Sequence, residues 1–176
     1  MKLGLLADSH DRLPALTEFL RRFAAAKVDM VLHAGDFCAP FAFKPIIHAG
    51  IAIAGVFGRN DGDRDGLRAQ AASAMGAELY ESPHSMEVAG SNILLVHDIG
   101  EVNKRSVVSH GVVIHGCTHQ VEMKTRGTNT LMINPGEACG WIYGTPSAAI
   151  LDLTTKKVEF LTLDAPEWRA GGVPGA

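Results

Sequence analysis

Leu3-Gly4-Leu5-Leu6-Ala7 is an unbroken apolar run between polar residues, the pattern of a strand buried on both faces. At Pro14 the period changes. Leu16, Phe19, Leu20 and Phe23 recur at three- and four-residue spacing, which predicts a helix over Pro14 to Ala26 with the proline in its first turn. Met30 to Ala34 reads as a second strand, Phe41 to His48 as a short helix and Ile51 to Phe57 as a third strand. Residues 64–76 read as another helix, with Gly76 as its stop. This alternation of strand and helix is the signature of right-handed βαβ units around a mostly parallel sheet.

The second half changes character. Met86 to Val88, Ile93 to Val96, Val112 to His115, Gln120 to Thr125, Thr130 to Ile133, Ala148 to Leu153 and Lys157 to Leu163 are short strands. Turn residues such as Gly90-Ser91-Asn92, Gly127-Thr128-Asn129 and Thr154-Thr155-Lys156 separate them, as expected for antiparallel pairs. At 176 residues the chain suits one domain, taken as residues 1–163. The Pro- and Gly-rich stretch 164–176 reads as a tail that frays from Ala165.

Sixteen Lys and Arg against nineteen Asp and Glu leave a net charge of −3, which carries no strong signal for a nucleic-acid backbone or an anionic membrane. No run of eighteen apolar residues and no leader pattern occurs, and Lys2 passes directly into a strand, so a cytoplasmic protein is expected. Cys38, Cys117 and Cys139 are far apart and odd in number, which suits reduced thiols better than a disulfide framework.

The polar residues that follow the apolar runs carry the chemistry. In an open α/β sheet, ligands bind beyond the carboxyl ends of the strands. Five segments end there: Asp8-Ser9-His10, Gly35-Asp36, Gly58-Arg59-Asn60-Asp61, His97, and Gly116-Cys117-Thr118-His119. They are expected to meet at one edge of one sheet. Asp8 and His10 share a face if that segment is extended, although this pair alone reads better as an Asx turn at Asp8 capping the next helix, with His10 exposed. Gly35 lets the backbone turn sharply, so Asp36 can swing over the sheet edge. The other histidines, His33, His48, His84, His110 and His115, are taken as structural or solvated. A set of carboxylates and imidazoles suits Mn, Fe or Zn better than Mg or Ca. Such an ion polarises a phosphoryl oxygen and acidifies a bound water. Neither a phosphate-binding GxxxxGK[ST] loop nor a nucleophile elbow occurs.

Asp8-x-His10, Gly35-Asp36, Gly58-Arg59-Asn60-Asp61, His97, Gly116-Cys117-Thr118-His119 and the turn Asn134-Pro135-Gly136 together resemble the calcineurin-like metallophosphoesterase superfamily. The similarity is greatest to its small bacterial and archaeal phosphodiesterase branch and runs from Met1 to about Leu163. The resemblance implies an α/β fold, a four-layer αββα sandwich of two mixed sheets flanked by helices. It also implies a centre of one or two divalent ions. Asp8, His10 and His119 would hold the first ion and Asp36 would bridge. His97 would hold the second ion together with an Asn and a further His.

Those last two positions depart from the family pattern, Gly-Asn-x-Asp and Gly-His-Thr-His. Arg59 aligns with the Asn, and Cys117 with the first His. Either Asn60 and Cys117 rebuild a weaker second site, or the Arg59 guanidinium supplies positive charge beside Asp36 in place of the ion. The expected function is a metal-dependent phosphodiesterase or phosphomonoesterase acting on a small phosphate ester. Asp36 and Arg59 would be catalytic, Asp61 and Thr118 would support them, and a homodimer is the default assembly. The competing expectation is a non-catalytic binding or scaffold protein on the same fold with a degenerate second metal site.

Overall fold

In the computed structural model, residues 1–74 and 76–168 are described. Strands β1 (Lys2–Leu6), β2 (Met30–His33), β3 (Ala52–Val56) and β4 (Ala77–Tyr80) lie parallel in one sheet. Helices α1 (Leu13–Ala25), α2 (Phe43–Ala49) and α3 (Arg64–Ser73) connect them. Strand β10 (Ser147–Asp152) runs antiparallel to β1, and β11 (Val158–Thr162) completes the order β11-β10-β1-β2-β3-β4. The second sheet has the order β5-β6-β7-β9-β8, formed by β5 (His84–Val88), β6 (Ser91–Leu95), β7 (Val112–Ile114), β8 (Val121–Arg126) and β9 (Thr130–Pro135).

The period-two alternation of β1 splits its side chains between two cores. Leu6 faces Leu16, Phe19 and Phe23 of α1, in a core that also takes Phe43 and Ile46 of α2 and Leu67 of α3. Leu3 and Leu5 face the other way, onto Ile93, Leu95, Val112, Ile114 and Ile133 of the second sheet. A smaller core sets Val107 of α4 (Lys104–Val108) on the far face of that sheet, against Leu94, Val113 and Met132. The layers are therefore helix, sheet, sheet and helix, as expected. Full burial of one such Leu or Phe contributes about 1.5–3 kcal/mol, so the two large cores outweigh any surface ion pair.

Several expectations need correction. The second sheet is not a run of antiparallel pairs: β6, β7 and β9 are parallel at its centre, and only the outer pairs β5/β6 and β8/β9 are antiparallel. Strand β4 and helix α4 add to the expected elements. Helix α3 stops at Ser73, and Gly76, with a positive φ of 66°, turns the chain into β4. Pro166–Trp168 do not fray: they form a single turn whose Trp168 carbonyl accepts a hydrogen bond from Arg12 at 2.8 Å. The remainder of the expected tail, 169–176, lies outside the described residues. No helix among the described residues is long and apolar enough to cross a membrane.

Candidate metal centre

The polar segments converge where the carboxyl ends of both sheets meet, not along one sheet. Asp8, His10, Asp36 and Asn60 follow β1, β2 and β3 of the first sheet, whereas His97, Cys117 and His119 follow β6 and β7 of the second. The Asp8–His10 stretch is not extended either. Asp8 (φ 51°), His10 (39°), Asp36 (62°), Cys117 (68°) and His119 (60°) all occupy left-handed backbone, which costs energy in non-glycine residues and concentrates at functional sites.

Packing leaves no room for side chains at the turns between these residues. A Cβ on Gly35 would lie 2.7 Å from His97 Nδ1, and one on Gly58 would lie 2.6 Å from the Asp36 backbone nitrogen. The loops are also tied to one another. Asp8 N–H donates to the Gly35 carbonyl at 3.0 Å and His10 N–H to the Asp36 carbonyl at 3.0 Å. Fully buried His33 braces this junction: its Nδ1 accepts from Gly35 N–H at 3.2 Å, so its Nε2–H faces Ser9 Oγ at 3.0 Å. Burial pushes His33 down to about 3, so it stays neutral at ordinary pH.

Each imidazole at the centre has one nitrogen committed and the other aimed inward. His97 Nδ1 lies 2.8 Å from the Ala34 carbonyl, which fixes its proton there and leaves Nε2 facing Asp36 Oδ2 at 3.5 Å. His119 Nδ1 lies 2.8 Å from Glu137 Oε2, and its Nε2 faces Asp8 Oδ1 at 3.7 Å. His10 stacks on His119 with ring centroids 5.2 Å apart, and its Nε2 approaches Asp36 Oδ2 at 3.5 Å.

Two buried polar atoms at this point, Asp8 Oδ1 and His10 Nε2, have no hydrogen-bond partner. A buried polar atom without a partner is costly, so a cation among these groups would satisfy what the protein alone does not. Donor atoms of Asp8, Asp36 and His97 lie within 4.8 Å of one another, as do those of His10, His119 and Cys139. Burial raises Asp8 to about 6, against the pull of His119 and His97, and burial lowers His10. Asp36 is also pushed up by burial, but hydrogen bonds from the Asn60 backbone and side chain, with His97 nearby, bring it below its ordinary value.

The altered loop places Asn60, not Arg59, on the centre. Asn60 N–H donates to Asp36 Oδ1 and its side-chain amide to Asp36 Oδ2, each at 2.8 Å. The guanidinium expected beside Asp36 turns instead to Asp98, with Glu101 at 3.8 Å, and its side chain is 59% exposed. Arg59 lines a polar cleft of about 170 Å³ with Gly58, Arg64, Ser82, His97 and Glu101. Asp61 is buried and accepts from three backbone amides, Asp36 (3.1 Å) and Gly58 (2.6 Å) on Oδ2 and Cys38 (2.8 Å) on Oδ1. Both its oxygens are thus spent holding loops. Cys117 contributes its backbone N–H, which donates to Asp8 Oδ2 at 3.0 Å, while burial raises its thiol. Thr118 Oγ1 accepts from the buried Asn134 amide at 2.9 Å, so the Asn134 turn braces the Gly116–His119 loop.

Two residues at the centre were not anticipated. Glu137 is buried and orients His119 while accepting from the backbone N–H groups of Ile142 (3.0 Å) and Tyr143 (2.6 Å). Cys139 is fully buried beside the paired imidazoles. The only hint of either in the sequence is that both closely follow Asn134-Pro135-Gly136.

Comparison with known proteins assigns this two-sheet sandwich, with Asp, His and Asn side chains gathered at its shared strand ends, to a family. Residues 1–156 match the model of the calcineurin-like phosphoesterase superfamily domain, and the chain belongs to that superfamily. Among its relatives is a phosphodiesterase of Methanocaldococcus jannaschii, 29% identical over 167 residues that cover 93% of this chain and all of the relative. A solved archaeal phosphodiesterase superposes with a TM-score of 0.85 at 30% identity, covering 93% of this chain and 100% of the other. A phosphoesterase from E. coli shares the fold at a TM-score of 0.68 and 16% identity, over 93% of this chain and 98% of that one.

Proposed function

We propose that the chain is a divalent-metal-dependent phosphodiesterase acting on small phosphate esters. The observation that carries this reading is the convergence of Asp8 Oδ1 and His10 Nε2, buried and without partners, with Asp36, His97 and His119. Asp8, His10, Asp36 and His119 would hold one ion. Asp36 and His97, with Asp8 in reach, would form a sparser second position, where Asn60 donates its amide to Asp36 and Cys117 has no assigned role. A bound Zn, Fe or Mn ion would polarise the phosphoryl group and acidify a water at neutral pH. The protein contributes orientation: Ala34 and Glu137 fix two imidazoles, Asn60 fixes the Asp36 carboxylate, and Asp61 holds the loops that carry them. Arg59 lies on the wall of the cleft beside His97, where an anionic substituent of the ester would meet it.

The binding-module reading has one observation in its favour: Trp141, Ile142 and Tyr143 are consecutive and 49%, 64% and 55% exposed. A cytoplasmic location and self-association as a dimer belong to the phosphodiesterase reading, and light scattering tests the latter. Hydrolysis of a chromogenic phosphate diester and the corresponding monoester, with Mn²⁺ or Zn²⁺ added, tests the activity. The expected result is turnover that prefers the diester and disappears in Asp36→Ala. Wild-type rates no higher than those of Asp36→Ala, with every metal offered, would favour the binding module.

A further inference from the structure

We infer that Cys139 is a thiolate ligand of the ion held by His10 and His119, which makes this position selective for a thiophilic metal. The inference rests on the metal-centre reading above and adds a donor that the sequence motifs do not contain.

Cys139 is fully buried, its N–H donating to the Asp8 carbonyl at 3.1 Å, its carbonyl accepting from Arg12, and its thiol, which burial raises to about 12, donating to Glu137 Oε2 at 3.6 Å. One donor atom each from His10, His119 and Cys139 lies within 4.8 Å of the other two. The independent sign of a ligand is Asp8 Oδ1. It belongs to a side chain with no solvent exposure, has no hydrogen-bond partner, and stands 3.7 Å from His119 Nε2 and 4.0 Å from His10 Nε2. Two imidazoles and a sulfur supply three of the four bonds of a tetrahedral zinc site, and a carboxylate oxygen set against those imidazoles, from Asp8 or Asp36, would supply the fourth. A thiolate biases such a site toward Zn²⁺, Fe²⁺ or Co²⁺ and away from Mg²⁺ and Ca²⁺.

The other two thiols are placed differently. Cys38 Sγ lies 3.3 Å from His10 Nδ1, the nitrogen turned away from the centre. Cys117 belongs to neither donor group among the described residues. Ligation by Cys139 breaks its S–H bond, together with the hydrogen bond that this thiol gives Glu137 Oε2, and forms one sulfur–metal bond, and the proton leaves to solvent.

Titration of the metal-free full chain with Co²⁺, followed by absorption, tests the assignment without any substrate. The expected result is a sulfur-to-cobalt charge-transfer band together with the visible bands of tetrahedral cobalt. That band is lost in Cys139→Ser and kept in Cys117→Ser, while the visible bands remain in both. Visible bands without charge transfer in the wild type would overturn the inference and leave the metal centre standing, as would a band lost in Cys117→Ser and kept in Cys139→Ser. No cobalt spectrum at all would overturn both readings. Because Cys139→Ser alters a buried position, zinc X-ray absorption on the wild type gives a second readout. A sulfur neighbour at about 2.3 Å is expected, and a shell of nitrogen and oxygen alone would refute the assignment.

Discussion

Replacing Glu137 by Gln tests how the centre is held. The carboxylate is 1% exposed and receives three N–H groups: Nδ1–H of His119 at 2.8 Å, Ile142 at 3.0 Å and Tyr143 at 2.6 Å. Gln retains one acceptor oxygen and puts an NH₂ where the other oxygen was, so a donor then points at a donor. Whichever way the amide turns, either the imidazole or a backbone amide loses its acceptor. One unsatisfied buried donor costs about 1–3 kcal/mol, which lowers the melting temperature. If His119 is the group released, its ring loses its fixed orientation, and zinc affinity falls by roughly 10–100-fold, the range for lost partners of metal-binding histidines. Competition with a chromophoric chelator measures the affinity, and thermal unfolding measures the stability. Glu137→Ala, which leaves all three donors unpaired, should be worse on both counts. Unchanged zinc affinity in both variants would refute the claim that Glu137 orients a ligand.

Three further outcomes follow from the same geometry. His33, pushed down to about 3 by burial, stays neutral in the folded chain below pH ~6.5, where the unfolded chain takes up a proton, so its contribution is complete above ~6.5 and is lost as the pH falls. That loss approaches about 1.4 kcal/mol per pH unit. Asp8, raised to about 6, acts in the opposite sense, so chemical denaturation of wild type and His33→Gln across this range should differ by the His33 slope, and parallel profiles would contradict it. Gly58→Ala sets a Cβ 2.6 Å from the Asp36 nitrogen and should cost about 1–3 kcal/mol in a denaturant melt and abolish turnover; a variant with wild-type stability and rate would show that the loop can give way. Arg59→Ala removes an exposed ion pair and should shift stability by less than about 1 kcal/mol while raising KM more than it lowers kcat; loss of kcat alone would place the guanidinium on the reacting group.

The first half of the fold is legible in the sequence because β1, β2 and β3 are short apolar runs, and α1 has a clear helical stripe ending on Phe23. Strand β4 was hidden because Ala77-Glu78-Leu79-Tyr80 lies at a sheet edge, where partial burial leaves no apolar run. Helix α4 is five residues long, too short for periodicity, and its one signal is the Asn103 cap that accepts from Ser106 N–H. The parallel centre of the second sheet escaped because β8 and β9 form a local hairpin, whereas the pairing of β9 with β7 depends on tertiary structure.

The candidate ligands at strand ends were legible because carboxylates and imidazoles recur after apolar runs. Which residue of Arg59-Asn60 meets Asp36 was not, since a shift of one position in the loop decides it and no periodicity constrains a loop. Glu137 and Cys139 carry no signal of their own, because a single Glu or Cys on an irregular segment resembles many others until folding places it against His119.

The most direct test of the central claim is to remove bound metal with a chelator, add back Zn²⁺ or Mn²⁺ in increments, and follow diester hydrolysis by wild type and Asp36→Asn. The account predicts no turnover in the stripped protein, a rate that rises with metal content and saturates, and no recovery in Asp36→Asn. Full activity in the stripped protein, or none at any metal content, would contradict it.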